Sequence, residues 1–327
     1  MIDVAREAGV SLKTVSRVVN GEPGVLEATA VRVQEAVTRL GFRRNEAARN
    51  LRRGVSTTSI GLIIEDIANP FYSALARAVE QVAREHGHQL LLGSSEEEPD
   101  RERELFTAFA SRRVAGLVIV PCSDDHRYIV DELKLGTAAV FVDRPPSRLS
   151  ADAVLSDNVG GARTAVEHLF AHGHSRIAVL GDRPGLYTTS ERVRGVRAAL
   201  ADAGIDIAER LVRIGLPHEQ EAEQAAVELL TAPDPPTAFF ALNNRMTLGV
   251  LRAMRRTGES VALVGFDDFE LADLLHPAVT VVAQDPSALG ERAAQLLFDR
   301  IHGDTRPAER VTLPTELIVR GSGESPV

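Results

Sequence analysis

From position 59 almost to its end, the chain alternates short apolar segments with amphipathic segments that are long enough to form helices. The apolar segments predict strands at 60–64, 88–92, 116–120, 139–142, 177–180, 237–240, 261–265 and 279–283. The amphipathic segments predict helices at about 71–86, 100–112, 126–134, 160–172, 190–203, 219–231 and 244–257. Strands that alternate with helices form parallel sheets covered on both faces. The number of units favours two sheets rather than one.

The first 40 residues follow a different pattern, which predicts three short helices around a small core. These helices are expected at 4–8, 12–20 and 26–40. Asp3 is expected to cap the first helix, and Gly9 to end it in the left-handed conformation. Ser11 is expected to cap the second. Two helices joined by a tight glycine turn form a helix-turn-helix, whose second helix enters the major groove of DNA.

The second of these helices predicts a surface that reads DNA. Its valines, at positions 15, 18 and 19, share one side and are expected to face the core. Lysine and arginine side chains donate to guanine O6 and N7, and a leucine contacts the thymine methyl group. The candidate DNA-binding residues of this segment are Ser11, Leu12, Lys13, Thr14, Ser16, Arg17 and Asn20.

The distribution of charge supports this division of the chain. The net charge is −9, but residues 1–54 hold ten Lys and Arg against six Asp and Glu, a net of +4, and the remainder carries −13. A basic first segment on an acidic body indicates that one end meets a polyanion. The single cysteine, the charged N-terminus and the absence of a long apolar run predict a cytoplasmic protein without disulfides or membrane spans.

Residues 43–54, RRNEAARNLRRG, predict a short helix that depends on a partner. Asn45 is expected to cap it, and its apolar side, which includes Ala48 and Leu51, lies between two pairs of arginines. A helix this short is not stable alone in water. We expect it to form on DNA together with a second subunit. The alternative is an ordinary amphipathic linker helix.

Polar and aromatic side chains follow many of the predicted strands. Ligands of such α/β folds bind beyond the carboxyl ends of the strands. Carboxylates and amides pair with hydroxyl groups, and aromatic faces pack against the C–H side of a sugar ring. The candidate effector-binding residues are Asn69, Phe71, Tyr72, Asp143, Arg144, Asp157, Arg192, Asn243, Asp267 and Gln284.

Rival chemistries have weaker support in the sequence. His168, His172 and His174 lack a further ligand at metal-binding spacing, and we expect them to be structural. The adjacent pair Asp267–Asp268 is poorly placed to flank one scissile bond. Cys122 has no nearby histidine, and no nucleophile elbow or phosphate loop occurs. We therefore expect no enzyme, cofactor or metal site, although a sugar-binding transport receptor stays open as an alternative.

Nine segments together resemble the lactose-repressor (LacI/GalR) family of transcriptional regulators, and the resemblance runs through the whole chain. They are DVAREAGVSLKTVSRVVNG (3–21), FRRNEAARNLRRG (42–54), IGLIIEDIANPFYSAL (60–75), FVDRP (141–145), SDNVGGARTAVEHLFAHGHSRIAVLGD (156–182), ERVRGV (191–196), ALNNRMTLGVLRAM (241–254), LVGFDD (263–268) and TVVAQD (280–285). The first segment is highly specific, and the others are informative in their order.

The resemblance implies a fold class: a small all-α helix-turn-helix head plus an α/β periplasmic-binding-protein-like body of two parallel-sheet lobes. The expected divisions are 1–42 for the DNA-binding domain, 43–57 for the hinge helix and linker, and 58–327 for the effector-binding and dimerisation domain. Within the body, one lobe is expected at about 58–156 and 284–313, and the other at about 157–283 and 314–327.

The resemblance also implies roles for individual residues. Leu12, Lys13 and Arg17 would read base edges, and residues 45–52 would be the hinge helix, with Leu51 inserted in the minor groove. Asn45, Ala48 and Arg49 would accompany it at the DNA. The effector-pocket positions of the family correspond to Phe71, Tyr72, Asp143, Arg192, Asn243 and Asp267.

The expected function is that of a sequence-specific regulator, a repressor, which binds a pseudo-palindromic operator as a homodimer. A small carbohydrate-like effector would control its operator affinity, by induction or by corepression. The chain departs from the family pattern at Arg44, which replaces a common proline, at Asn244, which replaces a common aspartate, and at Leu216, which replaces an aromatic residue. With no tryptophan in the chain, a smaller or differently polar effector than a stacked hexose stays open.

Overall fold

The computed structural model describes residues 1–19, 22–40, 58–205 and 208–326. The chain separates into two compact units, Met1–Thr57 and Thr58–Val327, which we call the head and the body. Within the described residues, no helix combines the length and the apolar character that crossing a membrane requires.

The described part of the head contains three helices packed around one small core. They are α1 (Ile2–Glu7), α2 (Leu12–Val19) and α3 (Glu27–Arg39). The fully buried side chains come from all three helices, with Val4, Val15 and Val33 at most 1% exposed. The apolar positions of these helices recur at the spacing of one helical face, which is why the three helices close on each other.

The predicted cap of α1 is wrong, whereas the glycine turn after it and the cap of α2 are confirmed. Asp3 lies inside α1 rather than at its cap, because the helix already begins at Ile2, and its side chain lies 3.5 Å from that of Arg6. Gly9 has a φ of 63°, which confirms the left-handed turn. The cap of α2 is also confirmed, since the Thr14 amide donates to the Ser11 hydroxyl at 3.1 Å.

The body contains two six-stranded sheets. The strands are β1 (Ser59–Ile64), β2 (Gln89–Ser94), β3 (Gly116–Ile119), β4 (Ala138–Val142), β5 (Asp152–Ser156), β6 (Ile177–Gly181), β7 (Val212–Ile214), β8 (Ala238–Ala241), β9 (Ala262–Phe266), β10 (Thr280–Ala283), β11 (Arg310–Leu313) and β12 (Glu316–Ile318). The strands β5, β7, β11 and β12 were not predicted from the sequence.

Helices cover both faces of these sheets. They are α4 (Pro70–Glu85), α5 (Pro99–Ser111), α6 (Val130–Lys134), α7 (Asn158–Ala171), α8 (Tyr187–Asp202), α9 (Glu219–Leu230), α10 (Asn244–Thr257) and α11 (Pro286–Ile301). Alternate residues of a strand face opposite sides, so that Leu62 joins the core under α4 and α11 while Ile63 joins the core under α5. The sequence analysis also missed α11.

The two sheets are built on the same plan. Their strand orders are β11-β5-β4-β3-β1-β2 and β12-β10-β9-β8-β6-β7, so each strand of one sheet has a counterpart in the other. All neighbouring strands are parallel except β10 and β12. We call the two halves the first lobe and the second lobe. The chain passes between them after β5, after β10 and after β11.

Candidate functional site

In the head, α2 presents basic and apolar side chains on the side away from its core. Val15 is fully buried, whereas Leu12 is 50% exposed, Lys13 is exposed and Arg17 is partly exposed. Neither Lys13 nor Arg17 forms an ion pair with another residue among positions 1–19 and 22–40, unlike Arg39, which lies 2.7 Å from Glu7. This part of α2 therefore keeps its positive charge available for an anionic partner.

The other candidate DNA-binding residues fall into two groups. Ser11 and Thr14 form the cap of α2, with 2.9 Å between their hydroxyl oxygens, and Ser16 is partly buried. Asn20, Asn45, Ala48, Arg49 and Leu51 lie outside the described residues.

In the body, a cavity of about 40 Å³ lies between the two lobes at the carboxyl ends of the strands. This volume has room for only a few water molecules, so a larger ligand can enter only if the lobes move apart. Nine of the ten predicted effector-binding residues line it: Asn69, Phe71, Tyr72, Asp143, Arg144, Arg192, Asn243, Asp267 and Gln284. The remaining lining residues are Glu65, Asp182, Leu186, Thr188, Thr189, Leu242, Asn244 and Arg245.

Asp157 does not line this cavity. It is exposed, and its carboxylate accepts a hydrogen bond at 2.8 Å from the Gly160 amide at the first turn of α7. Polar residues at strand ends are often helix caps, and this one is such a cap. Asp157 is thus the one candidate effector-binding residue that this cavity does not include.

Asp143 and Asp267 occupy equivalent positions in the two lobes. They follow β4 and β9, and their backbones have φ angles of 68° and 72°, in the left-handed region that residues other than glycine seldom adopt. The amide of each donates at 2.9 Å to a carbonyl on the next strand, Val154 or Val282. The surrounding sheet therefore holds the backbone of both residues in an unfavourable conformation, as is common at binding sites.

Glu65 and Asp182 form a second equivalent pair, which the sequence analysis missed. They directly follow β1 and β6, and each is 8% exposed. The expectation that ligand-binding residues follow the strands would have found both. Four carboxylates, two from each lobe, therefore surround the cavity.

Arg144 and Arg245 are held by carboxylates of the protein. The Arg144 guanidinium lies 2.6 Å from Glu97, 3.4 Å from Asp143 and 3.6 Å from Glu65. Arg245, from the second lobe, lies 2.9 Å from both Glu65 and Asp66 of the first lobe.

Arg192 also contacts groups of the protein. Its guanidinium lies over the Phe266 ring at 3.7 Å, and its Nε donates to the Asn158 amide oxygen at 2.7 Å. Its Nη1 donates to the Leu242 carbonyl, and Asp267 lies 3.7 Å away. Its Nη2 makes no hydrogen bond within the described residues, so a ligand carboxylate at Arg192, which the sequence left open, would compete there with Asp267.

Burial changes the ionisation of the cavity carboxylates. Removal from water, together with the charge of Glu97, raises the pKa of Glu65 to about 7. Burial is also the main cause that raises the pKa values of Asp143 and Asp182. The net charge of the cavity therefore changes with pH near neutrality.

Direct contacts join the lobes beside the cavity. The Asn244 amide donates to the Asn69 oxygen at 2.9 Å, and Arg183 donates to the Glu97 carbonyl at 3.2 Å. With the Arg245 ion pairs, these contacts hold the lobes closed over the site.

The histidines and the cysteine take part in structural contacts. His168 contacts Glu324, and His174 lies 2.8 Å from the Ser325 carbonyl, so both hold the C-terminal segment on the second lobe. Across the described ranges, no group of three or more His, Cys, Asp or Glu side chains is arranged to hold a metal ion. Burial and the Glu102 carboxylate raise the pKa of the Cys122 thiol far above its usual range, which disfavours the nucleophilic thiolate.

Comparisons with known families match both units. Residues 1–45 match the family described as bacterial regulatory proteins, lacI family, and residues 166–323 match the periplasmic binding protein-like domain. Catabolite control protein A of Priestia megaterium is 32% identical over 98% of this chain and 98% of its own length.

The chain belongs to the LacI family of bacterial regulatory proteins.

Solved structures agree with this assignment. The lac repressor dimer bound to operator and the anti-inducer ONPF is 26% identical, with a TM-score of 0.80 over 99% of this chain and 98% of that one. A complex of the transcriptional regulator CelR with cellobiose is 32% identical, with a TM-score of 0.73 over 98% of both chains. The chain is thus a DNA-binding transcriptional regulator with a two-lobed body, as the sequence predicted, and the receptor alternative is disfavoured.

Proposed function

We propose that the chain is a cytoplasmic repressor that binds a pseudo-palindromic operator as a homodimer. A small polyhydroxylated effector that binds between the lobes lowers or raises its affinity for this operator. The observation that carries the proposal is that one chain combines two features. In the head, Lys13 and Arg17 of α2 form no ion pair with the described residues, and the body contains a polar cavity.

The DNA-binding half of the proposal rests on α2. Lys13 and Arg17 donate to guanine edges, and Leu12 contacts a thymine methyl group, as exposed side chains of a recognition helix do. A two-fold dimer places two such helices on two half-sites, which explains why the operator would be pseudo-palindromic.

The sensing half rests on the cavity. Carboxylates, amides and two threonine hydroxyls supply acceptors and donors for ligand hydroxyl groups, and the aromatic rings of Phe71 and Tyr72 lie on the same wall. Two solved relatives contain small ligands, cellobiose in one and the anti-inducer ONPF in the other.

We also propose that the chain is not an enzyme. The four cavity carboxylates follow four different strands and contact arginine, amide or backbone groups of the protein. The thiol of Cys122 stays protonated near neutral pH. The related proteins are named as regulators.

The experiment that tests the DNA half selects bound duplexes from a randomised pool with the full-length protein. The expected result is a two-fold symmetric consensus, bound by a dimer with an affinity that falls steeply as salt rises. Selection of no consensus, or equal binding to selected and scrambled duplexes, would refute the proposal.

The sensing half is tested by a thermal-shift screen of sugars, followed by titration of the best ligand into Asp267→Asn. We expect this variant to lose the shift and to keep operator binding. Asp131→Asn is the matched control, because the Asp131 side chain is 90% exposed on α6. An unchanged shift in Asp267→Asn would place the ligand elsewhere.

A further inference from the structure

The cationic groups of the cavity already lie against carboxylate or carbonyl groups of the protein, although Arg144 Nε has no hydrogen-bond partner among the described residues. Arg144 is paired with Glu97, and Arg245 with Glu65 and Asp66. Arg192 donates to Asn158 and to a backbone carbonyl. An anionic ligand would compete with these partners, and a buried carboxylate or carbonyl that lost its donor in this way would be costly.

One carboxylate of the cavity, by contrast, has no cation of its own. Asp182 is 8% exposed, and no Lys, Arg or His nitrogen of the described residues lies within 4.0 Å of its oxygens. One of these oxygens accepts the Arg183 backbone amide at 2.6 Å. Its counterpart in the first lobe, Glu65, has Arg245 at 2.9 Å, so the two equivalent positions differ in charge compensation.

An unsatisfied neutral acceptor also lines the cavity. Gln284 donates its amide N–H to Asp267, and its amide oxygen is buried with no hydrogen-bond partner within the described part of the chain. A buried acceptor left in this state favours a ligand that brings donors. An ammonium group brings three donors and no acceptor.

The approach to the cavity is also acidic. A larger cleft of about 670 Å³, which we call the acidic vestibule, shares Glu65, Asp182 and Arg245 with the cavity. Its other charged residues are Asp66, Glu96, Glu97, Glu98, Arg183 and Glu219. Carboxylates thus outnumber arginines in both spaces, and a cleft lined by one sign of charge concentrates ligands of the opposite sign.

The ionisation of these groups agrees with a surplus of negative charge. Burial is the main cause that raises the pKa of Asp182, and Glu97 raises it further, while the Arg183 amide and the charges of Arg144 and Arg245 lower it. The same two causes raise that of Glu65. A positive charge placed between the two carboxylates would favour the ionised form of both.

We propose that the effector is a small polyhydroxylated compound that carries a protonated amine, and that Asp182 receives this amine while Asp143 and Asp267 receive hydroxyl groups. The inference rests on the proposed sensing function of the cavity. It disfavours sugar acids and sugar phosphates as effectors, because each guanidinium of the cavity already faces a carboxylate of the protein.

The test compares three compounds of similar size and different charge. Tris(hydroxymethyl)aminomethane is a protonated amino polyol at pH 7, pentaerythritol is its neutral analogue, and 2,2-bis(hydroxymethyl)propionate is anionic. Binding to the full-length protein is measured by calorimetry and by thermal shift at constant ionic strength in phosphate buffer. We expect the amine to bind about tenfold more tightly than the neutral analogue, the factor given by roughly 1.4 kcal/mol, and the anion not to bind.

Two variants locate the effect. In Asp182→Asn, which keeps the shape of the side chain, the amine and the neutral analogue should bind equally. Asp131→Asn, on the exposed surface of α6, should keep the wild-type preference. Equal wild-type affinities, preference for the anion, no binding of any of the three compounds, or an amine preference that survives in Asp182→Asn would each overturn the proposal. Operator binding, measured on the same samples, reports separately on the proposed function.

Discussion

At the scale of single residues, the site combines carboxylates that the sheets fix in place with arginines that the same carboxylates hold. Asp143 and Asp267 adopt left-handed backbone conformations at equivalent strand ends. Arg144 and Arg245 meet at Glu65 from the two lobes, and Arg192 lies beside Asp267. A site of this kind selects ligands by charge as well as by shape.

The ionisation of Glu65 leads to a prediction about pH. Its folded-state pKa of about 7 lies above the ordinary value of 4.5, so the folded protein binds this proton more tightly than the unfolded chain does. Its contribution to the free energy of unfolding is therefore greatest below pH 4.5 and decreases as pH rises to 7. Between pH 4.5 and pH 7, the free energy of unfolding of Glu65→Gln should therefore fall by roughly 1–3 kcal/mol less than that of wild type.

Urea unfolding at a series of pH values measures this difference. Glu104→Gln, at an exposed position of α5, is the control and should follow the wild-type profile. A Glu65→Gln profile parallel to that of wild type would show that Glu65 does not hold its proton.

In the head, Arg17→Ala tests the recognition surface. Loss of the guanidinium should cost roughly 1–3 kcal/mol on the selected duplex and much less on a scrambled one, because only base contacts carry sequence information. Fluorescence anisotropy measures both affinities. Arg112→Ala, on an exposed residue of the body, is the charge-matched control. An equal loss on both duplexes would mean that Arg17 contacts only phosphate.

Residue positions in the cavity were partly predictable. Asp143 and Asp267 could be named because polar residues directly after buried strands are the usual ligand contacts in such folds, and Arg192 because it lies near the start of a predicted helix. The same rule, applied to every strand, would have added Glu65 and Asp182. The pairing of Arg245 with Glu65 could not be predicted, because it joins helices and strands from different lobes that are distant in the chain.

At the scale of elements, most of the fold followed from periodicity, and several of the missed elements have physical explanations. The strands β11 and β12 lie at sheet edges, where burial is only partial, so their apolar character is weak. The strand β7 has three half-buried residues. The helix α11 contains Gly290, and an interior glycine lowers helix propensity.

Gly290 is explained by packing. A Cβ at this position would lie 2.5 Å from the Leu75 carbonyl oxygen of α4, so only glycine permits the close approach of α4 and α11. Gly290→Ala should therefore lower the free energy of unfolding by about 1–3 kcal/mol, although the same change at an open helical site stabilises. Ser287→Ala, at the exposed start of α11, should stay within about 0.5 kcal/mol of wild type. Denaturant unfolding decides, and a stabilised Gly290→Ala would contradict this packing.

At the scale of the whole molecule, the body consists of two lobes that are joined by chain crossings and by direct side-chain contacts. Three chain segments connect the lobes on one side, and Asn244, Arg183 and Arg245 contact the first lobe beside the cavity. An effector that binds between the lobes changes the balance between closed and open forms.

Arg245→Ala should weaken the closed form by roughly 1 kcal/mol, since the pair is partly exposed and Glu65 keeps Arg144 nearby. Small-angle scattering should then give a larger radius of gyration than for wild type. Arg252→Ala is the control, because Arg252 lies on the same helix and pairs with Glu219 of its own lobe. Identical scattering from Arg245→Ala and wild type would show that this ion pair does not hold the lobes.

The central claim is that a ligand in the body controls the grip of the head on DNA. The most direct measurement is the affinity of the full-length protein for its selected duplex, with and without a saturating concentration of the ligand that gives the largest thermal shift. We predict a change of about fivefold or more, in line with ordinary allosteric coupling energies, and none in Arg192→Ala. If the ligand binds to the wild-type body and the affinity for the duplex stays the same, the claim is wrong.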